Sequence, residues 1–397
     1  MNGPLRDHSF SPMAAPLRVV VTNPYAWPYV RRGSERLLND LSCYLHAQGH
    51  SVSVFAMAPL EGSEVRDGVR YTLLRQRLGA RPRQFNCLHD FAWRLTRSLR
   101  DVEADTVFCL NYFDAWAAIR ARARYQKTWR VVFMAVGIPT ARYFRMVPLD
   151  RWFMRCVLRQ SDQVLALSSF ARDMLASDFG VDAAVLPPPV MTAQFAASQN
   201  AASSAAPNIL FVGDVDEQRK GARVLCLAFS AIRVCHPAAQ LVFAGRASEP
   251  TRAALLALLA PSAHDAVEFH GVGQLADLPR LYQQASVTVL PAVWEAFGLV
   301  LVESLAAGTP VVGARHGGIP DIIDADTVGA LFEPQLLDGQ ASNADGLAEA
   351  VLAVLARGKT LAVRSACQAR AHSFSWSALG PLYEHMLQAT EPVEQKR

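Results

Sequence analysis

The sequence predicts an α/β protein with two parallel-sheet domains, and three observations support this prediction. Residues 286–318 read as an apolar strand, a turn, a helix and a second apolar strand, which is one βαβ unit. Residues 17–57 show the same strand, helix and strand pattern near the start of the chain. The length of 397 residues exceeds what one hydrophobic core usually supports, so two domains are expected. Ligands of such sheets bind at the carboxyl ends of the strands.

The elements of the first half follow from hydrophobic periodicity. A strand is expected over 17–22, then a helix over 34–49 with Ser34 as its N-cap and Gly49 as its stop, then a strand over 50–57. Regular structure should end at the Pro-rich run 186–190. Between these segments, further strands are expected over 106–110, 130–135 and 163–168, and helices over 114–125, 150–159 and 168–181.

The second half starts a new alternation of strands and helices after an uncharged stretch rich in Ala and Ser. Strands are expected over 208–212, 240–244, 266–269, 286–290 and 310–313. The first residues lack a basic region before an apolar block, so no secretory signal is expected. The expected organisation is a disordered tail over 1–16, an N-terminal domain over 17–190, a linker over 191–207, a C-terminal domain over 208–373 and a final helix over 374–397.

Composition limits the function classes. No apolar run approaches the roughly 18 residues of a membrane-spanning helix. Residues 1–190 carry 25 Lys and Arg against 16 Asp and Glu, whereas residues 191–397 carry 14 against 19. The basic first half could face anionic lipid or a phosphorylated acceptor, or it could be a solvated Arg-rich surface. Nucleic acid is not an expected partner, because no nucleic-acid-binding motif accompanies the arginines. The seven scattered cysteines predict buried thiols in a reducing cytoplasm.

Two loops at predicted strand ends contain residues suited to an anionic ligand. Gly33 stands at the mouth of the first helix, where backbone N–H groups and the helix dipole favour an anion, although a glycine there could also only relieve crowding. In the second half, Arg219 and Lys220 follow the strand over 208–212 and precede a helix, where a cation can neutralise a diphosphate. A solvated loop pair is the alternative. The GxxxxGK[ST] pattern of a Walker A loop is absent.

A third loop has the form of a dinucleotide-binding fingerprint. Gly271, Gly273 and Ala276 spell GxGxxA between a predicted strand and a predicted helix. The pattern lies deep in the domain, and no acidic residue ends the next strand to bind a ribose. A nicotinamide or flavin cofactor is therefore not expected.

Two carboxylates mark the predicted helix of the 286–318 unit. Glu295 is expected at the start of this helix, where backbone N–H groups of the first turn lie open to an anion while the carboxylate accepts from hydroxyls. Glu303 follows eight residues later, a spacing that returns near the same helical face. A carboxylate in an apolar helix needs hydrogen-bond partners. The vicinal hydroxyls of a ribose could supply them, and an arginine or the backbone is the alternative.

These segments together resemble the retaining nucleotide-sugar glycosyltransferases of the large glycosyl transferases group 1 family. Members of that family have the GT-B fold, in which two Rossmann-like parallel-sheet domains face each other across a cleft. The resemblance covers most of the chain, and its most diagnostic part is the E-x7-E spacing of Glu295 and Glu303. It rests on the segments GSERLLNDLSCYLHAQGHSVSVF, LSSFARDML, ILFVGDVDEQRKGARVL, EFHGV, LYQQASVTVLPAVWEAFGLVLVESLAAGTPVV and GGIPDII.

The resemblance implies a binding site for a nucleoside diphosphate sugar, which is a co-substrate, with no cofactor and no metal. Glu303 would bind the ribose, Glu295 would bind hydroxyls of the donor sugar, and Lys220 would neutralise the leaving diphosphate. Glu295 and Lys220 are thus the expected catalytic residues. Gly33 would let the first domain approach the diphosphate. The other implied donor-binding residues are Arg219, Gly271, Val272, Ala296, Phe297, Gly298 and Leu299.

The resemblance also implies a reaction and separate roles for the two domains. Residues 17–190 would bind the acceptor, residues 208–373 the donor, and the helix over 374–397 would cross back to the first domain. The sugar would pass to an acceptor hydroxyl with retention of configuration, in the synthesis of a cell-surface glycan, polysaccharide or glycolipid. The acceptor would be a glycan, a lipid-linked molecule or a small molecule. The Arg-rich segments 120–130 and 142–159 favour a phosphorylated or membrane-embedded lipid acceptor. An anionic membrane surface would then be a partner of this cytoplasmic protein.

Two departures from the family pattern bear on activity. The family commonly has Gly-Arg after the first strand of the second domain, whereas this chain has Gly213 and Asp214, so Arg219 is expected to supply the second cation. The family often carries a histidine after the fourth strand of the first domain, where Ala135 and Val136 stand here. These departures leave a catalytically weak or silent sugar-nucleotide-binding protein as one alternative. A nucleotide-sugar epimerase or a phosphorylase of the same fold is the other.

Overall fold

The chain divides into two compact units, Met1–Val132 and Phe133–Arg397. A computed structural model describes residues 16–76, 87–196, 206–271, 277–337 and 339–388. Most of the predicted tail and part of the predicted linker, residues 197–205, lie outside the described residues. The predicted domain boundaries stay predictions.

The first unit is built on a mostly parallel sheet with the strand order β3-β4-β2-β1-β5. Its first βαβ unit is confirmed, because β1 and β2 pair in parallel on either side of α1 in the chain. A sixth strand, β6 at Arg130–Ala135, crosses the boundary between the units. The elements of this unit are β1 Arg18–Tyr25, α1 Gly33–Ala47, β2 Ser51–Ala58, β3 Gly62–Arg66, β4 Val69–Arg75, α2 Cys87–Ser98, β5 Thr106–Cys109 and α3 Tyr112–Arg124.

Helix α1 begins one residue earlier than predicted. Arg32 is its N-cap, with an extended backbone and no capping hydrogen bond from its side chain, so the prediction that Ser34 caps the helix is wrong. Ser34 already lies inside the first turn, because Gly33 is helical. The apolar stripe of Leu37, Leu38, Leu41 and Leu45 is buried, as its helical spacing predicts. Gly49 has φ +90° just beyond the helix and acts as the predicted stop.

An antiparallel hairpin of β3 and β4 was not predicted. Arg66 pairs with Val69, so only Asp67 and Gly68 form the turn, with φ values of +46° and +80°. Both central residues of a type I′ turn need positive φ, and Asp-Gly is among the strongest sequence signals for it. The signal was therefore present in the segment VRDGVR.

The second unit contains a six-stranded sheet with the order β11-β10-β9-β12-β13-β14, in which every pair is parallel. Strands β7 and β8 also pair in parallel within this unit, and β15 and β16 pair antiparallel. The strands are β7 Gln163–Ala166, β8 Ala184–Val185, β9 Asn208–Val212, β10 Gln240–Ala244, β11 Val267–His270, β12 Val287–Leu290, β13 Val311–Ala314, β14 Gly329–Phe332, β15 Leu336–Leu337 and β16 Gln340–Ala341.

Helices accompany this sheet throughout the second unit. Residues Val287 to Leu290 are all buried, as expected for a parallel strand that is covered on both faces. Helix α6 has the predicted ends, a Ser168 cap and Gly180 in the left-handed conformation. The helices are α4 Ala141–Met146, α5 Pro148–Gln160, α6 Ser169–Phe179, α7 Ala222–Cys235, α8 Glu249–Leu256, α9 Leu278–Gln284, α10 Leu299–Ala306, α11 Ala344–Arg357, α12 Leu361–His372 and α13 Trp376–Gln388.

The C-terminal helix α13 is fixed to the segment that precedes residue 191. The buried Tyr383 hydroxyl donates to the Pro187 carbonyl at 3.1 Å. The Val190 N–H donates to the Phe374 carbonyl at 2.8 Å. These contacts join the end of the described chain to the region just before the predicted linker.

The predictions made from composition concern the cysteines and the absence of a membrane-spanning helix. All seven cysteines are free, and the prediction of buried thiols is confirmed at Cys109, Cys226 and Cys367. It is wrong at Cys235, which is exposed, while Cys43, Cys87 and Cys156 are half-buried. Cys235 is the last residue of helix α7. Within the described residues, every helix is too short or too polar to cross a membrane.

Candidate functional site

Four loops meet at the carboxyl edge of the six-stranded sheet, because β10, β9, β12 and β13 are parallel neighbours. The loops after these strands carry Arg246, Lys220, Glu295 and His316, in that order across the sheet. The chain runs outward from β9 to β10 and β11 and then returns to β12 on the other side of β9. Open α/β sheets bind ligands at such a switch point. The loops of Lys220 and Glu295 flank it.

An ion pair joins the two predicted catalytic residues. The Lys220 Nζ atom lies 2.5 Å from Oε2 of Glu295, and the Arg219 Nη1 atom lies 3.4 Å from the same oxygen. The Lys220 and Glu295 side chains are only 18% and 14% exposed, which strengthens their attraction relative to a surface pair. The structure thus brings together three of the residues that the sequence singled out.

Backbone geometry holds Lys220 in this position. A short 3₁₀ turn over Gln218–Lys220 ends at Gly221, which has φ +81°. A Cβ atom on Gly221 would lie 2.4 Å from the Pro291 carbonyl oxygen, so only glycine allows the two loops to approach this closely. The Val293 N–H donates to the Arg219 carbonyl at 2.9 Å and ties the loops together.

Glu295 lies in a loop, and the prediction that it starts the helix is wrong. Helix α10 begins at Leu299, and its N-cap Gly298 has φ +109°, which interrupts any helix that would reach back to Glu295. The neighbouring Trp294 also has a left-handed backbone, with φ +57°. Glu295 and Glu303 therefore do not share a helical face, although both keep the predicted spacing in sequence.

Glu303 has a partner that the sequence did not suggest. It lies in α10 with 3% exposure, and its Oε2 atom accepts a hydrogen bond of 2.8 Å from the Tyr282 hydroxyl. This bond offsets part of the cost of burying a carboxylate. The role of Glu303 in binding a ribose stays a prediction.

The segment between Glu295 and α10 offers backbone donors. Among the described residues, no acceptor is found for the backbone N–H groups of Phe297, Gly298 and Leu299. The Phe297 ring is buried against Phe374, with ring centroids 5.4 Å apart, so this residue faces the site with its backbone. Ala296 is half-buried, and its carbonyl lies against Gly318. Free N–H groups at a helix start favour an anion.

The structure describes only some of the remaining predicted donor-binding residues. Gly271 follows β11 directly and therefore lies at the same edge of the sheet. Val272 lies outside the described residues, as do Gly273 and Ala276 of the GxGxxA pattern. Gly33 starts helix α1 of the first unit, as predicted for a helix mouth. The roles of Gly33, Gly271 and Val272 stay predictions.

Arg246 is a cation of this edge that sequence reasoning missed. It follows β10, and its guanidinium donates to Oδ2 of Asp214 from Nε at 3.1 Å and from Nη2 at 2.7 Å. Its side chain is 65% exposed. Nearby, hydrogen bonds from Thr251 and Ser248 lower the pKa of Asp216 to about 2, so this carboxylate is charged at neutral pH. The signal was the Gly-Arg pair directly after the strand LVFA.

Arg246 changes the interpretation of the Asp214 substitution. The sequence predicted Arg219 as the second cation, and Arg219 lies at the site, where Oε1 of Glu217 at 2.6 Å and Oε2 of Glu295 at 3.4 Å accept from it. Arg246 is a third cation at the same edge, on the loop next to that of Lys220. The ion pair with Arg246 gives Asp214 a structural role.

Comparisons with known proteins agree with this architecture. Residues 206–357 match the family model for Glycosyl transferases group 1, and residues 31–194 match that for Glycosyltransferase Family 4. A relative, the glycogen synthase of Mycobacterium tuberculosis, is 25% identical over 378 residues, which span 85% of this chain and 86% of the relative.

Two solved structures share the fold over nearly the whole chain. Sucrose-phosphate synthase from Thermosynechococcus elongatus has a TM-score of 0.76 at 20% identity, covering 94% of this chain and 100% of its own. Anabaena HepE in complex with UDP and glucose has a TM-score of 0.72 at 16% identity, with coverage of 94% and 100%. The protein has the GT-B fold, with two Rossmann-like parallel-sheet domains. Both halves of the chain thus match models of glycosyltransferase families.

Proposed function

We propose that the protein transfers a sugar from a nucleoside diphosphate sugar to an acceptor hydroxyl with retention of anomeric configuration. The observation that carries this proposal is the pair of Lys220 and Glu295 at the switch point of the second sheet. A cation and a carboxylate 2.5 Å apart can contact the two halves of one donor, the diphosphate and the sugar. The unpartnered N–H groups before α10 add donors for the same anion.

Lys220 and Glu295 have distinct roles in this proposal. An entering diphosphate competes with Glu295 for the ammonium of Lys220, and Glu295 then turns to hydroxyls of the donor sugar. The bond between the anomeric carbon and the diphosphate oxygen breaks as the acceptor oxygen attacks from the same face. The proton of the acceptor hydroxyl passes to the departing diphosphate. The protein contributes positioning and stabilisation of the leaving charge, without a metal or another cofactor.

The other predicted residues complete the donor site. Glu303 binds the ribose, and Arg219 is the second cation on the diphosphate. Gly271 and Val272 are further donor-binding residues, and Gly33 allows the acceptor domain over 17–190 to approach. The backbone of Ala296, Phe297, Gly298 and Leu299 lines the sugar and diphosphate.

A thermal-shift screen of UDP-sugars and GDP-sugars tests donor binding without knowledge of the acceptor. A ligand that binds only the folded state stabilises it by about 2.7 kcal/mol at 100 times its Kd, so the correct donor should raise Tm measurably. Glu303→Gln should reduce this shift, because the neutral amide is a weaker acceptor for ribose hydroxyls. Glu349→Gln, at an exposed position of α11, is the matched control and should keep it. No shift with any nucleotide sugar would contradict the proposal.

A silent sugar-nucleotide-binding protein is the second candidate. It is favoured by the absence of an imidazole at Ala135, the last residue of β6, and at Val136, which follows it. Binding of UDP or GDP without transfer to a broad acceptor panel would support this candidate. Conversion of the nucleotide sugar without any separate acceptor would instead indicate an epimerase.

We further propose that the acceptor is lipid-linked and that a basic surface on α4 and α5 meets the inner face of the membrane. Trp152, Arg155 and Arg159 lie at helical spacing on one face of α5 and are exposed. Among the described residues, no acidic side chain pairs with Arg155 or Arg159. The α4–α5 surface comprises these three residues with the exposed Arg142, Tyr143, Arg145 and Met146. Exposed aromatic and basic residues together suit an anionic lipid interface, where membrane-linked glycans and glycolipids are made.

Flotation with vesicles of phosphatidylglycerol and phosphatidylcholine tests this surface. The double variant Arg155→Glu and Arg159→Glu should lower the vesicle-bound fraction about tenfold or more, because each basic residue near an anionic surface contributes about 1 kcal/mol. The double variant Arg97→Glu and Arg280→Glu makes the same charge change at exposed positions elsewhere and should bind as the wild type does. Equal loss in both variants, or binding that is insensitive to salt, would count against the α4–α5 surface.

A further inference from the structure

Trp294, the residue before Glu295, has a backbone conformation that bulky residues rarely adopt. Its φ is +57°, in the left-handed region. Such residues persist only where their surroundings hold them, and they concentrate at functional sites. The Trp294 N–H donates to Nδ1 of His316 at 3.1 Å, and the Trp294 carbonyl accepts from Nη1 of Arg219 at 3.1 Å. Both backbone polar groups of Trp294 are therefore anchored by side chains.

The loop after β13 forms a cradle for the backbone of Glu295. The Gly318 N–H donates to the Glu295 carbonyl at 2.8 Å. A Cβ atom on Gly317 would lie only 2.2 Å from that carbonyl oxygen. His316 immediately precedes these glycines, so one short segment contacts Trp294 through an imidazole and Glu295 through its backbone.

Phe170 on α6 completes an aromatic cluster around His316. The centroid of its ring lies 5.1 Å from that of His316 and 6.1 Å from that of Trp294, and the rings of Trp294 and His316 are 4.8 Å apart in an edge-to-face arrangement. Such contacts restrict the imidazole to one orientation. Nδ1 is thereby directed at the Trp294 N–H.

We propose that His316 is a positioning residue for sugar transfer: its unprotonated Nδ1 holds Trp294 in the left-handed conformation and so places the Glu295 carboxylate against Lys220. The inference rests on the proposed function, in which that carboxylate meets the donor sugar. His316 makes no contact with substrate in this role. It acts only through the backbone of Trp294.

The hydrogen bond defines the protonation state that is needed. A nitrogen that accepts from an N–H carries no proton, so the imidazole is neutral and its proton is on Nε2. Burial lowers the pKa of His316 below its usual value of about 6.5, which keeps it neutral at pH 7. The unfolded chain therefore takes up this proton at higher pH than the folded chain does. The arrangement is fully present above about pH 6.5 and is lost as pH falls through the lowered pKa.

Charged groups on neighbouring elements surround His316. Glu295 and Arg219 belong to the loops that Trp294 contacts, and Glu295 is already paired with Lys220. Arg315 precedes His316 and pairs with Glu333. Arg172 and Asp173 follow Phe170 on α6 and pair with each other, and the Asp321 carboxylate accepts from the Ser169 N–H at the start of that helix. Each of these charges thus has its own partner.

Two substitutions distinguish the effect of the accepting nitrogen from the effect of the aromatic ring. His316→Asn keeps an oxygen near the position of Nδ1 but removes the ring and its titration, whereas His316→Phe keeps the ring and removes the acceptor. We expect His316→Phe to lower kcat about tenfold, which corresponds to one ordinary hydrogen bond, with little change in donor KM. His316→Asn should retain most of kcat and lose the acidic limb of the pH profile below pH 6.5.

The opposite ranking, or equal loss in both variants, would overturn the inference, because packing of the ring would then matter more than the acceptor. So would unchanged kcat in His316→Phe. Thermal unfolding of each variant must first show a folded protein, and Phe170→Leu reports the effect of aromatic packing alone. That variant keeps the Nδ1 acceptor and should therefore keep an acidic limb in its pH profile.

A readout independent of catalysis distinguishes failure of the inference from failure of the proposed function. Long-range proton–nitrogen NMR spectra, assigned with His316→Asn, should show an unprotonated Nδ1 at pH 7. The fluorescence of Trp294, isolated by difference from Trp294→Phe, should titrate with the same pKa as His316. If the wild type transfers no sugar but both signals are as expected, the proposed function fails and the anchoring of Trp294 stands. A protonated Nδ1 at pH 7 overturns the anchoring, whatever the activity.

Discussion

Lys220→Ala is expected to lower the rate of sugar transfer by about 100-fold or more, in the range found when one group that stabilises developing charge is removed from an active site. The leaving diphosphate would lose the cation that lies 2.5 Å from Glu295 at the switch point. The fold should survive, because Arg219 still contacts the same Glu295 oxygen at 3.4 Å. Initial rates at saturating donor, together with Tm, measure both parts of this prediction.

The matched control is Lys127→Ala, which removes another ion pair of similar length, the 2.6 Å contact with Glu103 in the first unit. That variant should keep full activity. The double variant Lys220→Ala with Glu295→Gln separates chemistry from the effect of leaving a carboxylate unpaired. If neutralising Glu295 restores turnover, Lys220 serves only to balance its charge. A Lys220→Ala rate within about threefold of the wild type would contradict the assigned role.

Gly317→Ala is expected to disrupt the loop of Glu295, with loss of both stability and turnover. Gly317 has φ +64°, and an added Cβ atom would lie 2.2 Å from the Glu295 carbonyl oxygen and 3.0 Å from its nitrogen. Backbone atoms cannot rotate away as a side chain would, so the loop must move and the pair of Glu295 with Lys220 must separate. The left-handed backbone alone costs alanine about 1 kcal/mol. The contact with Glu295 adds to that cost.

Gly180→Ala is the control that isolates the contact from the backbone conformation. Gly180 has φ +69° at the end of α6, and nothing lies within 4 Å of its ideal Cβ position. Denaturant unfolding should show the cost of about 1 kcal/mol for Gly180→Ala and a clearly larger one for Gly317→Ala. Only Gly317→Ala should lose turnover. Equal losses of stability with full activity in both variants would show that the loop accommodates the methyl group.

The strongly apolar elements were predictable from the sequence. Strand β6 was predicted with the observed bounds, and β12 and β13 were predicted within one residue at each end. Both faces of these strands are covered, so the run of apolar residues alone indicates a buried strand. The end of α6 at Gly180 was equally clear, because a left-handed residue at a helix end is usually glycine.

The site was predictable in its residues but not in its geometry. Glu295 and Lys220 were singled out, yet Glu295 was placed in a helix that starts four residues later. The residues around Glu295 do not forbid a helix locally. Hydrogen bonds to His316, which accepts, and from Gly318, which donates, hold the backbone in a loop, and both residues lie more than 20 positions further along the chain.

The sequence by itself determined the α/β class, the apolar strands, and the residue types that a phosphate and a sugar require. These properties depend on hydrophobic periodicity and on the chemistry of single residues, and both can be read from short segments of the chain. Only the tertiary structure decided that Lys220 meets Glu295, that Tyr282 meets Glu303, that Arg246 meets Asp214, and that His316 supports Trp294. Each of these contacts joins loops or helices that follow different strands, and the order of strands in the sheet sets which of them become neighbours.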